Sequence, residues 1–95
     1  MDHISFDWDE KKNNTNQKKH KIGFAEAQTC FYDPNALVIH DPDHSENEDR
    51  FIFRMGLSKS LRILVVCHCY REPGETVRII SARKATTTES QSYGG

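Results

Sequence analysis

Three β-type runs crowd the second half of this chain with almost no sequence between them. "RFIFRMGL" (50–57), "LRILVVCHCY" (61–70) and "TVRIISARK" (76–84) are separated only by Ser58-Lys59-Ser60 and "REPGE" (71–75). A parallel pair needs a crossover of roughly a dozen residues or more, so neighbours this close must pair antiparallel, as a meander. The first run alternates, with Phe51, Phe53 and Met55 on one face. "ALVI" (36–39) is a fourth, shorter apolar run.

The first half supplies helices. "ISFDWDE" opens with Ile4, Phe6 and Trp8 in alternation, a brief strand. Asp7 and Glu10 have capping-box spacing, which makes Asp7 the expected N-cap of a helix over "EKKNNTNQKKHK". That helix is polar throughout, so it should lie on the surface, anchored by its ends. After Gly23, "FAEAQTCF" places Phe24, Ala27, Cys30 and Phe31 on one apolar stripe, and "DPN" (33–35) stops it. Thr86 and Glu89 repeat the capping spacing and open a short C-terminal helix before a frayed "YGG". The order β-α-α-β-β-β-β-α describes one α+β domain over 1–95, with an ordered core of about 4–93. Its expected sheet is an antiparallel meander of about four strands.

Composition bounds the setting. No apolar run reaches the roughly 18 residues of a membrane span, and the acidic N-terminus lacks a signal core, so the expected compartment is the cytoplasm. Three cysteines make a poor disulfide framework and are read as reduced. The net charge of −1 hides an asymmetry. Residues 1–49 carry eleven acids against five lysines, whereas residues 50–95 carry eight Lys/Arg against three glutamates. The basic half can meet phosphates or simply attract the acidic half.

Four stretches invite a chemical reading. "HDPDHSENEDR" (40–50) resembles a calcium loop only in Asp41, Asp43 and Ser45, since the sixth position is Glu46 and the twelfth Ile52. Pro42 stands between His40 and His44 and argues against a helical metal pair. The stretch reads as a solvated loop whose acids pair with arginines. In "CHC" (67–69), strand alternation sends Cys67 and Cys69 to the core face of Leu61, Ile63 and Val65, and His68 to the other face. "KKH" (18–20) puts cations at a helix C-terminus, where the dipole favours them and where Lys19 and His20 border any cleft that opens there. In "VRIISARK", strict alternation puts Val77, Ile79, Ser81 and Arg83 on one side, and Arg78, Ile80, Ala82 and Lys84 on the other. Arg83 can bind a phosphate bidentately or pair with Glu46 or Glu48.

Five pieces in order, "FDWDEKKNNTNQKKH", "FAEAQTCFYDP", "DHSENEDRF", "GLSKSLRILVV" and "VRIISARKAT…E…Y", resemble the BrnT toxins of BrnT/BrnA type II toxin–antitoxin systems over residues 4 to 93. The resemblance implies a RelE-like α+β fold, endoribonuclease activity that arrests translation, and a BrnA-like ribbon-helix-helix antitoxin. It implies DNA contact only through that antitoxin, whose dimerisation builds a larger symmetric complex. Carried onto this chain, the site residues implied are Lys19, His20, Glu48, Arg50, Arg83 and Tyr93.

RNA cleaves itself once its 2′-OH is deprotonated and attacks the adjacent phosphate. The site must supply a base, an acid and positive charge. Arg83 and Arg50 suit phosphate stabilisation, His20 or Glu48 the base, and His20, Lys19 or Tyr93 the acid. No metal or other cofactor is expected. Two departures from the family pattern stand out. Lys21 replaces the glycine after "KH", at a cost of roughly 1 kcal/mol in a left-handed cap, so the turn is expected to be rebuilt and His20 displaced. The tail "TTTESQSYGG" lacks the usual arginines, which favours as runner-up a non-catalytic binding protein that keeps the antitoxin interface.

Overall fold

The computed structural model describes residues 4–39, 51–71 and 76–93 of the 95-residue chain. Residues 40–50, among them His40, His44, Glu46, Glu48 and Arg50, lie outside the described residues, as do residues 72–75.

The elements run β1 (Ser5–Asp7), α1 (Glu10–His20), α2 (Phe24–Thr29), a 3₁₀ turn (Cys30–Tyr32), β2 (Leu37–Ile39), β3 (Ile52–Leu57), β4 (Ile63–Arg71), β5 (Thr76–Lys84) and α3 (Thr87–Ser92). Among the described residues the sheet has five strands in the order β1-β5-β4-β3-β2. β3 to β5 form the antiparallel meander expected from their short connections, and β2 pairs antiparallel with β3 as its fourth strand. β1 adds a fifth strand, parallel to β5, with Ser5 opposite Thr76 and Asp7 opposite Arg78. The sheet is therefore mixed, because α1 and α2 with everything after them act as a long crossover between β1 and its neighbour.

β1 also moves the first helix start. Asp7 is occupied in the strand, and Asp9 caps α1, its carboxylate accepting from the Lys11 amide at 2.8 Å. The C-terminal capping box holds as spaced, with Thr86 and Glu89 satisfying each other's backbone amides.

Both sheet faces are covered by apolar side chains. On one, Ile22, Phe24, Ala27 and Cys30 of the helical segment bury Leu64, Val66, Val77, Ile79 and Ala82, flanked by Phe6, Trp8 and Phe31. Each such large side chain contributes about 1.5–3 kcal/mol when fully buried. On the other, Phe53, Met55, Val65 and Cys67 gather with Ile63, Ile80 and Tyr93 packed on them. Leu61, expected in the core row of β4, instead occupies the preceding turn, 78% exposed with φ 64°.

Strict alternation fails in β5. A register shift makes His68 face Ile79 while Cys67 faces Ser81, so Ile80 has no partner of its own on β4. Such a bulge puts one extra residue in one strand and inverts the in–out order beyond it. Ala82 therefore joins Val77 and Ile79 on the helix-covered face. Arg83 lies opposite Val65 and Arg78 opposite Cys69, so both arginines belong to the other face rather than to opposite ones.

Candidate functional site

α1 is held against β5 by its middle, not by its ends. Asn16, 5% exposed, donates to the carbonyls of Ile22 (2.8 Å) and Ala82 (2.9 Å) and accepts from the Ala82 amide at 3.1 Å. β1 ends opposite Arg78, so the amide side chain takes the place of a strand at the edge β1 no longer covers.

Between α1 and that open edge lies a groove of about 290 Å³. Lys11, Lys12, Lys19 and His20 line it from the helix, and Ile80 and Ser81 from the strand. Of the residues proposed from sequence, Lys19 and His20 come together here. Lys11, Lys12 and Thr15 were missed, although positions 11, 12, 15, 16, 19 and 20 follow the three- and four-residue spacing of a single helix face.

The turn after His20 is not rebuilt. Lys21 adopts the left-handed conformation itself (φ 62°, ψ 30°), its amide bonding to the Gln17 carbonyl at 2.9 Å. Its own carbonyl accepts from Arg62 at 3.3 Å. Arg62 in turn clasps both oxygens of Glu26, which also accepts from the Ser58 hydroxyl at 2.7 Å. The Arg62 hydrogen bond holds the Glu26 carboxyl below its ordinary range despite opposing desolvation. This cluster over-determines the cap, so His20 keeps its place at the end of α1.

Arg83 and Tyr93 do not line the groove. Arg83 grips Glu89 with two bonds of 2.8 and 2.9 Å, and this pairing pulls the Glu89 carboxyl down to about 2. Glu89 is thus both helix cap and ion-pair partner, and the spacing that announced the cap did not announce the pairing. The Tyr93 hydroxyl donates to Asp33, and that bond raises the phenol above its ordinary range. Desolvation acts against Asp33, but bonds from Tyr93, Leu57 and Asn35 keep it ionised.

The "CHC" residues are buried in the sheet. His68, 2% exposed, packs edge-on against Phe31 at 4.7 Å between ring centroids. Desolvation pushes its imidazole down to about 4, so it stays neutral. Cys67 lies in the second-face cluster, away from His68. Among the described residues no three His, Cys, Asp or Glu side chains converge, and no helix is long and apolar enough to cross a membrane.

Comparison with known proteins adds identity to this geometry. No curated protein sequence matches the chain. The crystal structure of the Brucella abortus ribonuclease toxin BrnT superimposes with a TM-score of 0.67 at 24% identity, covering 90% of this chain and all of that one. That likeness concerns the fold. The family described as "Ribonuclease toxin, BrnT, of type II toxin-antitoxin system" matches residues 8–89, which span every element from the start of α1 into α3. The chain belongs to the BrnT family of ribonuclease toxins.

Proposed function

We propose that this chain is an endoribonuclease toxin that cuts RNA in the α1–β5 groove by metal-independent acid–base chemistry. The observation that carries this reading is the convergence of Lys19 and His20 in one cavity with two further lysines. A base removes the 2′-OH proton, O2′ attacks the neighbouring phosphorus, and the P–O5′ bond breaks. The products are a 2′,3′-cyclic phosphate and a 5′-hydroxyl, whose oxygen receives a proton. His20 is the proton-transfer group, as base toward O2′ or as acid toward O5′. Lys19 neutralises charge on the phosphorane oxygens. Glu48 as alternative base and Arg50 as phosphate ligand complete the proposal from outside the described residues. Arg83 reaches a phosphate only on releasing Glu89, and Tyr93 becomes a proton donor only on releasing Asp33.

In the cell this chemistry halts translation in the cytoplasm, on a RelE-like scaffold. A ribbon-helix-helix antitoxin of the BrnA type neutralises it and makes whatever DNA contacts the complex has. The antitoxin's dimerisation then sets the symmetry of the assembly.

A second reading, a non-catalytic binding protein, draws on one observation: Arg83 and Tyr93 are already engaged by carboxylates. Expression of the chain without antitoxin separates the two. The nuclease reading predicts growth arrest by the wild type, relief by His20→Ala, and an RNA cleavage rate about 10²–10⁴-fold lower for that variant. Normal growth and intact RNA with folded wild-type protein favour the second reading.

A further inference from the structure

We propose that the α1–β5 groove is a backbone track for single-stranded RNA, in which Lys11 and Lys12 bind phosphates beside the linkage held at Lys19 and His20. This deepens the nuclease reading and rests on it for the choice of ligand.

The lysines are set out along the helix for this. Lys11 and Lys12 precede Lys19 by seven to eight residues, about 11–12 Å of helix. A single phosphate cannot touch both ends of such a row, but successive phosphates of one strand can. The nearby acids are occupied elsewhere. Asp9 caps the Lys11 amide, and Glu10 accepts from the Trp8 indole at 2.9 Å and from Asn13 at 3.1 Å. Asn16 fixes the facing of helix and strand, so the row stays opposite Ile80 and Ser81.

The lining also excludes base recognition by stacking. Among the described residues no Phe, Tyr or Trp lines the groove, its one ring being the His20 imidazole engaged in proton transfer, and aromatic stacking platforms are what hold bases in single-strand channels. Hydroxyls of Thr15 and Ser81 accompany the lysines, and these suit sugar and phosphate oxygens. At about 290 Å³ the groove sits at the small end of ligand pockets, a size for one strand's backbone rather than a duplex. The whole chain carries a net charge of −1, so general attraction to RNA is absent and this row must supply it.

The test uses short single-stranded 2′-O-methyl oligonucleotides, which cannot supply the attacking hydroxyl, in a uridine and an adenosine series. At about 0.7 in slope per phosphate contact, three contacts cost the wild type roughly 20-fold in affinity between about 50 and 200 mM salt. The Lys11→Ala/Lys12→Ala double variant should lose only about threefold over that range. The two series should bind alike, the matching duplex more weakly, and Lys59→Ala should retain the wild-type salt dependence. An unchanged salt dependence in the double variant overturns the proposal. So does a more than tenfold preference between the two series, or duplex binding as tight as single-strand binding. If the double variant loses its salt dependence while the wild type cuts no natural RNA, the track stands and the nuclease reading falls. If the wild type cuts RNA and the salt dependence does not move, the reverse holds.

Discussion

Among the described residues, Lys21 and Leu61 sit in a backbone conformation that L side chains rarely adopt. Lys21→Gly should raise stability by about 0.5–1 kcal/mol, read as a higher urea midpoint, because the bond from Arg62 goes to a backbone carbonyl that glycine keeps. A fall in stability would mean that the lysine stem contributes packing outweighing the strain. His68 gives a pH prediction. Its imidazole titrates near 4 when folded against 6.5 in the open, so the unfolded chain binds more protons between those values. Stability should therefore fall by on the order of 3 kcal/mol as pH drops from about 6.5 to 4. His68→Phe should flatten that fall in urea titrations. A burial pattern alone located His68 and the cysteines, because strand alternation is local. The partners of Arg83 and Tyr93 were not legible: Glu89 looked like a helix cap, and Asp33 is sixty positions from the tyrosine that bonds it.

At the scale of elements, α1 carries most of what a sequence can hide. A helix with no apolar face looks unattached, yet one buried asparagine ties it to the sheet. Asn16→Ala leaves two carbonyls and an amide without partners and should cost about 2–4 kcal/mol in denaturant unfolding, since each orphaned buried group costs about 1–3. A loss below 1 kcal/mol would show that water replaces the clamp. The strands of the meander and the C-terminal capping box were legible from periodicity and spacing, whereas the cap of α1 fell at Asp9 rather than Asp7 and α2 gave way to a 3₁₀ turn at Cys30. The bulge at Ile80 was not legible, because it depends on how β4 pairs with β5. Strict alternation without it assigns Arg78 and Arg83 to opposite sides. The parallel docking of β1 was hidden for the same reason, since a three-residue strand carries no signal of which neighbour it will join. α3 hangs on the Arg83–Glu89 pair, and the low Glu89 pKa gives its pH sign. The pair's stabilisation is present above about 4.5 and lost as pH falls toward about 2. Glu89→Gln should therefore be less stable than wild type at pH 6, with the gap closing by pH 2.

Across the whole molecule, the polar helix and the open edge of β5 meet to make a cationic groove on a chain of nearly zero net charge. The family could be recognised from motif order, because the pieces recur in sequence along almost all of the chain. The groove's full lining could not, because half of its shape comes from a strand edge left bare by the shortness of β1. The chemistry assigned to that groove makes a specific demand on products. Purified chain should be incubated with a single-stranded RNA in the presence of a metal chelator, and the new ends identified. The account predicts 2′,3′-cyclic phosphate and 5′-hydroxyl ends, formed by wild type and not by His20→Ala. Fragments with 5′-phosphate ends, cleavage that stops on adding chelator, or undiminished cleavage by His20→Ala would contradict it.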